Sequence, residues 1–297
     1  MEVTYQEPHP ILRPFIYSYG CMQGPAPVEQ WMQPIIPSML PYMVIRFSDL
    51  SIDLPETEHA HTPDVFIMGL TSSMFQIGVQ KTMDFITIHF TPDGLYRLCG
   101  IPSHYFSDKL VNYEDIDATN TRLLLEQLGG AANHAGRYEV LDRFFVKLFH
   151  RKLVKSNALD MVAAGIQSIL HHGGTMPVNK LAAELCYSKR NVERRFNEVL
   201  GVSPKAFSKI IRFNASMKQL VTHHPKVSVE EIAWQMGYHD LSHFGKEFKQ
   251  LYRKTPYDFC YSRDAMEESC LTMLNVIIPT PIIPDWNRTK RSSYYLP

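Results

Sequence analysis

The sequence predicts an α+β protein: a β-rich N-terminal barrel or sandwich, a helical connector, and an all-α C-terminal domain in which a long helix joins two helix-turn-helix motifs. Three observations carry this. Short runs rich in β-branched and aromatic residues, separated by turn residues, fill the stretch from Tyr42 to Phe90. From Leu95 onward the apolar spacing becomes helical. Finally, Leu181-Ala182, Tyr187, Val192, Phe196, Pro204 and Phe207 recur as Ile232-Ala233, Tyr238, Phe244, Phe248, Pro256 and Phe259. The offset is 51 residues up to the Tyr pair and 52 from Val192/Phe244 onward, so the second copy carries one extra residue in its turn, where insertions are tolerated.

Taken in order, residues 1–30 hold Pro8, Pro10, Pro14, Pro25 and Pro27, which exclude a long helix and predict extended segments and loops. Strands are expected at Met43-Val44-Ile45-Arg46-Phe47, at Asp64 to Met68, at Met74 to Val79 and at Phe85 to Phe90. After Thr91-Pro92-Asp93-Gly94 a helix carries Leu95, Leu98 and Ile101, and a loop with several acids follows. Two helices are expected next, Thr121 to Leu128 and Tyr138 to Arg151, broken by Gly129-Gly130. The second has a broad apolar face of Val140, Leu141, Phe144, Phe145, Leu148 and Phe149, for packing within its own domain or for a dimer interface. The domain limits read 1–118 (β-rich), 119–156 (connector), 157–262 (helix-turn-helix domain) and 263–297. The last piece, with Val276 to Pro284 and then Arg288-Thr289-Lys290-Arg291, is an extended proline-rich arm.

Within the first copy, Ser188 stands where an N-cap is needed, Val192, Phe196, Val199 and Leu200 form the inward face, and Gly201 ends the helix. The opposite stripe holds Arg190, Glu193, Arg194 and Asn197, hydrogen-bonding groups of the kind that read base edges in a major groove. In the second copy Asp240 is the cap, with Phe244, Phe248 and Leu251 inward. The offset puts Ser242, Gly245, Lys246 and Lys249 outward, with His243 beside them. Pro204 opens the intervening helix, whose stripe is Phe207, Ile210, Ile211, Met217, Leu220 and Val221. The aromatic residues of the repeat share the aliphatic stripe and read as core, which disfavours single-strand stacking.

Charge follows the same division. The chain is neutral overall, yet residues 174–259 hold 14 Lys/Arg against 8 Asp/Glu, and residues 1–173 hold 12 against 18. The basic half is the one with the repeat, which suits a polyanionic partner. Cys21, Cys99, Cys186, Cys260 and Cys270 are odd in number and widely spaced, so they read as reduced thiols. Met1-Glu2-Val3-Thr4 does not open a signal peptide, no run approaches a membrane helix, and a cytoplasmic protein is expected. His59-Ala60-His61 with Glu56 and Glu58 offers a metal-ligand pattern, but it reads as an exposed loop. His89 reads as a structural histidine within a strand. No phosphate loop, nucleophile elbow or Cys/His catalytic arrangement stands out, so neither an enzyme nor a cofactor or metal is expected.

The stretch from Ala158 to Phe259 resembles the DNA-binding domain of the AraC/XylS family of bacterial transcription regulators. The resembling residues include Leu181-Ala182, Arg195-Phe196, Gly201-Val202-Ser203-Pro204, Arg212, Val227 to Ala233, Gly237-Tyr238, Ser242-His243-Phe244, Lys246, Phe248-Lys249 and Thr255-Pro256. Three departures stand out: Cys186 where the second copy has Gly237, Tyr252 in place of the small turn residue Gly201, and Thr255 for Ser203. Residues 8–118, with Pro14-Phe15-Ile16 and Pro92-Asp93-Gly94-Leu95-Tyr96-Arg97-Leu98, resemble the β-rich sensor domains that precede it, some of them cupin-like barrels.

The resemblance implies a transcription regulator, an activator or a repressor, that binds double-stranded DNA. RNA polymerase, an unidentified small-molecule effector and a second copy are its further candidate partners. Base contacts are expected from Arg190, Glu193, Arg194, Asn197, Ser242, His243 and Lys246. Phosphate contacts are expected from Lys189, Lys205, Lys209, Arg212, Lys249 and Arg253, with a rival structural role for Arg212 and for Arg195. The alternative is a cupin-type ligand-binding or metal enzyme domain that carries a DNA-binding appendage.

Overall fold

Val65-Phe66-Ile67-Met68 is apolar at every position, and all four side chains are buried. Such a run suits a strand covered on both faces. The computed structural model, which describes residues 2–26, 31–53, 62–154 and 157–261, supplies both covers. Its strands are β1 (Glu2–Gln6), β2 (Ile16–Pro25), β3 (Trp31–Ile35), β4 (Tyr42–Arg46), β5 (Leu50–Asp53), β6 (Val65–Met68), β7 (Phe75–Val79), β8 (Thr82–Phe90) and β9 (Leu110–Asn112). They pair antiparallel into a six-stranded sheet ordered β1-β2-β8-β4-β6-β9 and a three-stranded sheet ordered β3-β7-β5. The chain is thus an α+β protein with a two-sheet sandwich at its N-terminal end.

Register decides which residues meet which cover. Thr87 of β8 lies between Gly20 of β2 and Val44 of β4, so Phe85, Thr87 and His89 share one face with Met22 and Val44. That face meets Trp31, Leu50, Phe75 and Val79 of the smaller sheet. Ile86, Ile88 and Phe90 point the other way, to α1 (Gly94–Cys99) and α3 (His134–Lys152) through Leu95, Leu98, Leu141 and Phe145. Arg137 of α3 fastens this cover, bonding Asp84 of β8 at 2.6 and 3.2 Å with its guanidinium over the Phe47 ring.

Several strands lie outside the expected set. β3 contains Pro34, which an edge strand tolerates because one side of it needs no donor. β5 and β9 are four and three residues long, too short for alternation to show. β1 and β2, by contrast, are the extended segments expected in the proline-rich start, the prolines falling at or beyond their ends. The helix expected from Thr121 begins earlier, as α2 (Glu114–Gly129), and kinks at Asp117, whose side chain accepts from Asn120 N at 3.3 Å. The boundary expected between 118 and 119 therefore runs through α2. The apolar face of α3 is taken up by its own sheet, together with Leu124 and Leu128 of α2.

The C-terminal half comprises α4 (Asn157–His171), α5 (Val178–Glu184), α6 (Lys189–Leu200), α7 (Pro204–His223), α8 (Val229–Gln235), α9 (Leu241–Tyr252) and α10 (Pro256–Tyr261). The halves share cores: Met39, Leu40 and Leu70 pack with Val162, Phe196 and Phe207, while Ile36 packs with Phe213 and Met217. The loop with Glu56, Glu58, His59 and His61, the arm 263–297 and Cys270 lie outside the described residues. Among the described residues no helix is long and apolar enough to cross a membrane.

Candidate nucleic-acid interface

The first helix-turn-helix is α5, a turn and α6. Cys186 takes the left-handed conformation that reverses the chain (φ 58°), where the second copy uses Gly237 (φ 77°). Ser188 caps α6 by accepting from Asn191 N at 3.3 Å. Val192, Phe196, Val199 and Leu200 are buried as the spacing required. Gly201 closes the helix at φ 76°, and a Cβ there would lie 2.6 Å from Ser103 O, so both backbone and neighbour demand glycine. On the outer stripe Arg190, Arg194 and Asn197 are exposed and Glu193 is partly so. Arg194 bonds Asn191 Oδ1 at 3.1 Å and approaches Glu198 at 3.7 Å, while Lys189 lies 3.8 Å from Glu193. Exposed pairs of this kind contribute at most about 1 kcal/mol and exchange readily for an external partner.

The second copy is α8, its turn and α9. Asp240 Oδ1 accepts from His243 N at 2.6 Å, and Phe244, Phe248 and Leu251 are buried. Ser242, His243, Lys246 and Lys249 are exposed, and a Cβ added at Gly245 would meet nothing within 4 Å. One expectation needs correcting here. The counterpart of Gly201 is Arg253, 52 residues on, which closes α9 in the left-handed conformation (φ 65°). Tyr252 is instead core, 2% exposed, against Phe248 and Phe259.

Of the two roles open to Arg212, phosphate contact and structural pairing with an acid, the geometry shows the second. It lies on α7 with its guanidinium bound to Glu247 of α9, Nε to Oε1 at 3.0 Å and Nη2 to both oxygens at 2.7 and 2.9 Å. It also stacks over the Tyr238 ring, whose hydroxyl donates to Glu247 Oε1 at 2.6 Å. Burial raises the Tyr238 hydroxyl above its ordinary range, so it stays protonated and donates. The Glu247 carboxylate thereby gains the donors that a residue only 3% exposed needs. Sequence periodicity did not single out Glu247; its signal was an acid beside Phe248 on the inward stripe. Lys209 leans the same way, 3.4 Å from Gln250 and 3.9 Å from Glu247. Arg195 pairs with Glu198 at 2.8 Å, whereas Lys205 is exposed.

α7 holds the two copies together. Ser203 caps it and Pro204 takes its first position, where a missing N–H costs nothing. Phe207, Ile210 and Ile211 enter the core of the first copy, and Phe213, Met217 and Leu220 enter that of the second. α6 and α9 are both tied at their C-terminal ends to the N-terminal half. Ser103 Oγ donates to Val199 O at 2.6 Å, Ser107 Oγ to Gly201 O at 3.0 Å and Tyr96 OH to Glu198 at 3.0 Å. Met74 N donates to Leu251 O at 2.8 Å. Among the described residues no three His, Cys, Asp or Glu side chains gather as a metal-ligand set.

Comparison with known proteins finds matches for two separate stretches of the chain. Residues 181–260 match a family described as a helix-turn-helix domain, and residues 5–112 match a domain of unknown function, DUF6597. The HTH-type transcriptional regulator MtrA of Neisseria gonorrhoeae is 34% identical over 79 residues, 27% of this chain and 26% of the relative. The Msm operon regulatory protein of Streptococcus mutans is 29% identical over 96 residues, 32% of this chain and 34% of the relative. The matched part thus spans a quarter to a third of these relatives. Among solved structures, ToxT from Vibrio cholerae O395 aligns over 82% of this chain and 97% of its own, at 15% identity and a TM-score of 0.44.

Proposed function

We propose that this chain, whose residues 181–260 are an AraC-type helix-turn-helix domain, is a DNA-binding transcription regulator that reads two adjacent major grooves of double-stranded DNA. The observation that carries this reading is the pair of capped helices, α6 and α9, both packed on the one helix α7 and both presenting a polar stripe outward. α7, 20 residues and about 30 Å long, is the rigid element that fixes the two helices relative to each other, as entry into successive major grooves ~34 Å apart on one face of DNA requires.

α6 is the main reader. Arg190 and Arg194 are suited to guanine, Glu193 to a cytosine amino group and Asn197 to adenine. α9 contributes Ser242, His243 and Lys246, with Gly245 allowing close approach to the groove. Lys189, Lys205, Lys249 and Arg253 are phosphate contacts, Lys209 a weaker one because Glu247 and Gln250 draw it inward, and Arg212 is not one. The chain acts as a regulator rather than an enzyme, in the cytoplasm where DNA and RNA polymerase are met, and its N-terminal half modulates it.

The test is selection of genomic DNA fragments by the full-length protein, sequenced across a salt series. An asymmetric motif spanning two adjacent major grooves is the expected result. Diffuse binding that vanishes as salt rises would overturn the assignment of base reading to α6.

A further inference from the structure

The second helix-turn-helix carries a surface that the proposed DNA contact does not use. Among the described residues Trp234 is 70% exposed, Tyr261 71% and Tyr257 42%. These rings form a connected strip over α8 and α10. Glu230 and Trp234 stand one helical turn apart on α8, as Tyr257 and Tyr261 do on α10. The Tyr257 hydroxyl donates to Glu230 Oε1 and joins the two helices there. The Tyr257 and Tyr261 rings are nearly parallel, 10° apart in plane with centroids at 6.5 Å, and Tyr261 meets His224 edge-on. Glu231, beside Glu230, is exposed. Two acids among the rings make this strip a poor seat for phosphate, and none of its residues belongs to the outer stripe of α9.

Exposed rings that cluster in this way mark interaction surfaces. The described chain ends within the strip, at Tyr261. Residues 262–275 can span at most about 50 Å, and after them comes Val276-Ile277-Ile278-Pro279-Thr280-Pro281-Ile282-Ile283-Pro284. In a polyproline helix of three residues per turn, Ile278, Pro281 and Pro284 fall on one face. That is the P-x-x-P spacing by which proline-rich segments seat on exposed aromatic rings. Arg288, Lys290 and Arg291 follow, opposite in sign to Glu230 and Glu231. An aromatic strip beside two acids thus complements an apolar segment beside three bases, in polarity and in charge. We propose that residues 276–291 of this chain dock on its own α8–α10 strip, with Pro281 and Pro284 on the Trp234, Tyr257 and Tyr261 rings and the basic end toward Glu230 and Glu231.

Tethering decides which copy supplies the segment. Linked through residues 262–275, it is held near the strip at about millimolar effective concentration, above that of a second copy in dilute solution. An intrinsic affinity of only ~0.1 mM then keeps the strip covered about nine-tenths of the time. The inference stands whether or not the chain binds DNA.

The experiment is timed trypsin digestion of the full-length protein, without DNA, with cleavage after Lys290 and Arg291 followed by mass spectrometry. Trypsin reaches these bonds only while the segment is undocked, so the rate follows the undocked population. Trp234→Ser changes an exposed side chain, and the double variant Pro281→Ser/Pro284→Ser lies outside the described residues. Each should be cut about tenfold faster than the native protein, and Glu231→Gln about twofold faster. Equal rates in the native protein and the double variant overturn the docking. Protection lost in the double variant but kept in Trp234→Ser overturns the strip as its seat; if Trp234→Ser fails to fold, Tyr261→Ser, equally exposed, decides. An unchanged rate in Glu231→Gln overturns the charge pairing. Protection that fades as the native protein is diluted about a hundredfold shows a second copy supplying the segment and overturns docking within one chain.

Discussion

The two helix-turn-helix copies share one scaffold and differ in what holds the reading helix. α9 is locked from inside its domain: Glu247, on its inner face, takes a bidentate pair from Arg212 of α7 and a hydrogen bond from Tyr238. In the first copy the matching positions hold Arg195, paired along its own helix with Glu198, and Tyr187, which is 43% exposed. α6 instead rests on the neighbouring half through Ser103, Ser107 and Tyr96. Repeating a motif therefore repeats its core and caps, while the polar ties diverge. The copy with the richer polar stripe is the one tied through side chains to the N-terminal half, whereas α9 meets that half through the backbone bond from Met74 N to Leu251 O.

The largest effect that would break this contrast is at Glu247. Glu247→Ala leaves the half-buried Arg212 guanidinium without its carboxylate and should cost about 3–5 kcal/mol. Arg195→Ala removes a half-buried pair within one helix, in reach of solvent and worth about 1 kcal/mol or less. Urea unfolding of the two variants measures both, and equal costs would remove the distinction between an internally locked and an externally tied helix. Acid should act on the other side of the comparison. His89, held neutral by burial, has its pKa lowered from 6.5 to about 4. As pH falls through that window the unfolded chain takes up a proton that the folded chain refuses. Its contribution is therefore intact above pH 6.5 and is lost progressively toward pH 4, by up to about 3 kcal/mol. Denaturation at pH 7 and 4.5 should show the N-terminal half weakening first, and His89→Leu should flatten that slope.

How far the sequence was legible follows from the kind of force involved. The repeat, both N-caps, Gly201 and the inward faces of α6 and α9 were readable because helical periodicity and capping are local. β4, β6, β7 and β8 were readable as apolar runs. β3 was not, because Pro34 is acceptable only at a sheet edge, and edge position is a property of the assembled sheet. The same holds for Glu247 and Arg212, 35 residues apart, whose pairing depends on how α7 crosses α9. Gln33, Thr87 and His89 looked like ordinary strand residues, since only the pairing of two sheets face to face buries them.

A smaller effect sharpens the asymmetry of the reading stripes. Arg194→Ala should cost about 1–3 kcal/mol at one base position and relax specificity there. Lys246 occupies the matching place in α9, 52 residues on, and its loss should weaken DNA binding less selectively. Lys249→Ala should weaken every sequence alike and reduce the salt dependence by about one phosphate contact. Competition assays with single-base variants of the selected site separate these outcomes, and uniform weakening by Arg194→Ala would remove α6 from the role of main reader.

The smallest effect lies in the caps, where the copies again differ. Ser188 accepts from Asn191 N at 3.3 Å, while Asp240 accepts from His243 N at 2.6 Å and adds a negative charge at a helix N-terminus. Loss of either cap to Ala should cost roughly 1 kcal/mol, and more at Asp240 because its bond is charge-assisted. Yet that carboxylate also sits at the end of α9 that would face DNA, where it repels phosphates. Asp240→Asn keeps a competent cap and removes the charge. It should therefore hold stability within about 0.5 kcal/mol while tightening DNA binding, and the gain should fade as salt screens the repulsion. If Asp240→Asn instead destabilises as much as Asp240→Ala and leaves DNA affinity unmoved, the charge serves the helix alone and the N-terminus of α9 does not approach the backbone.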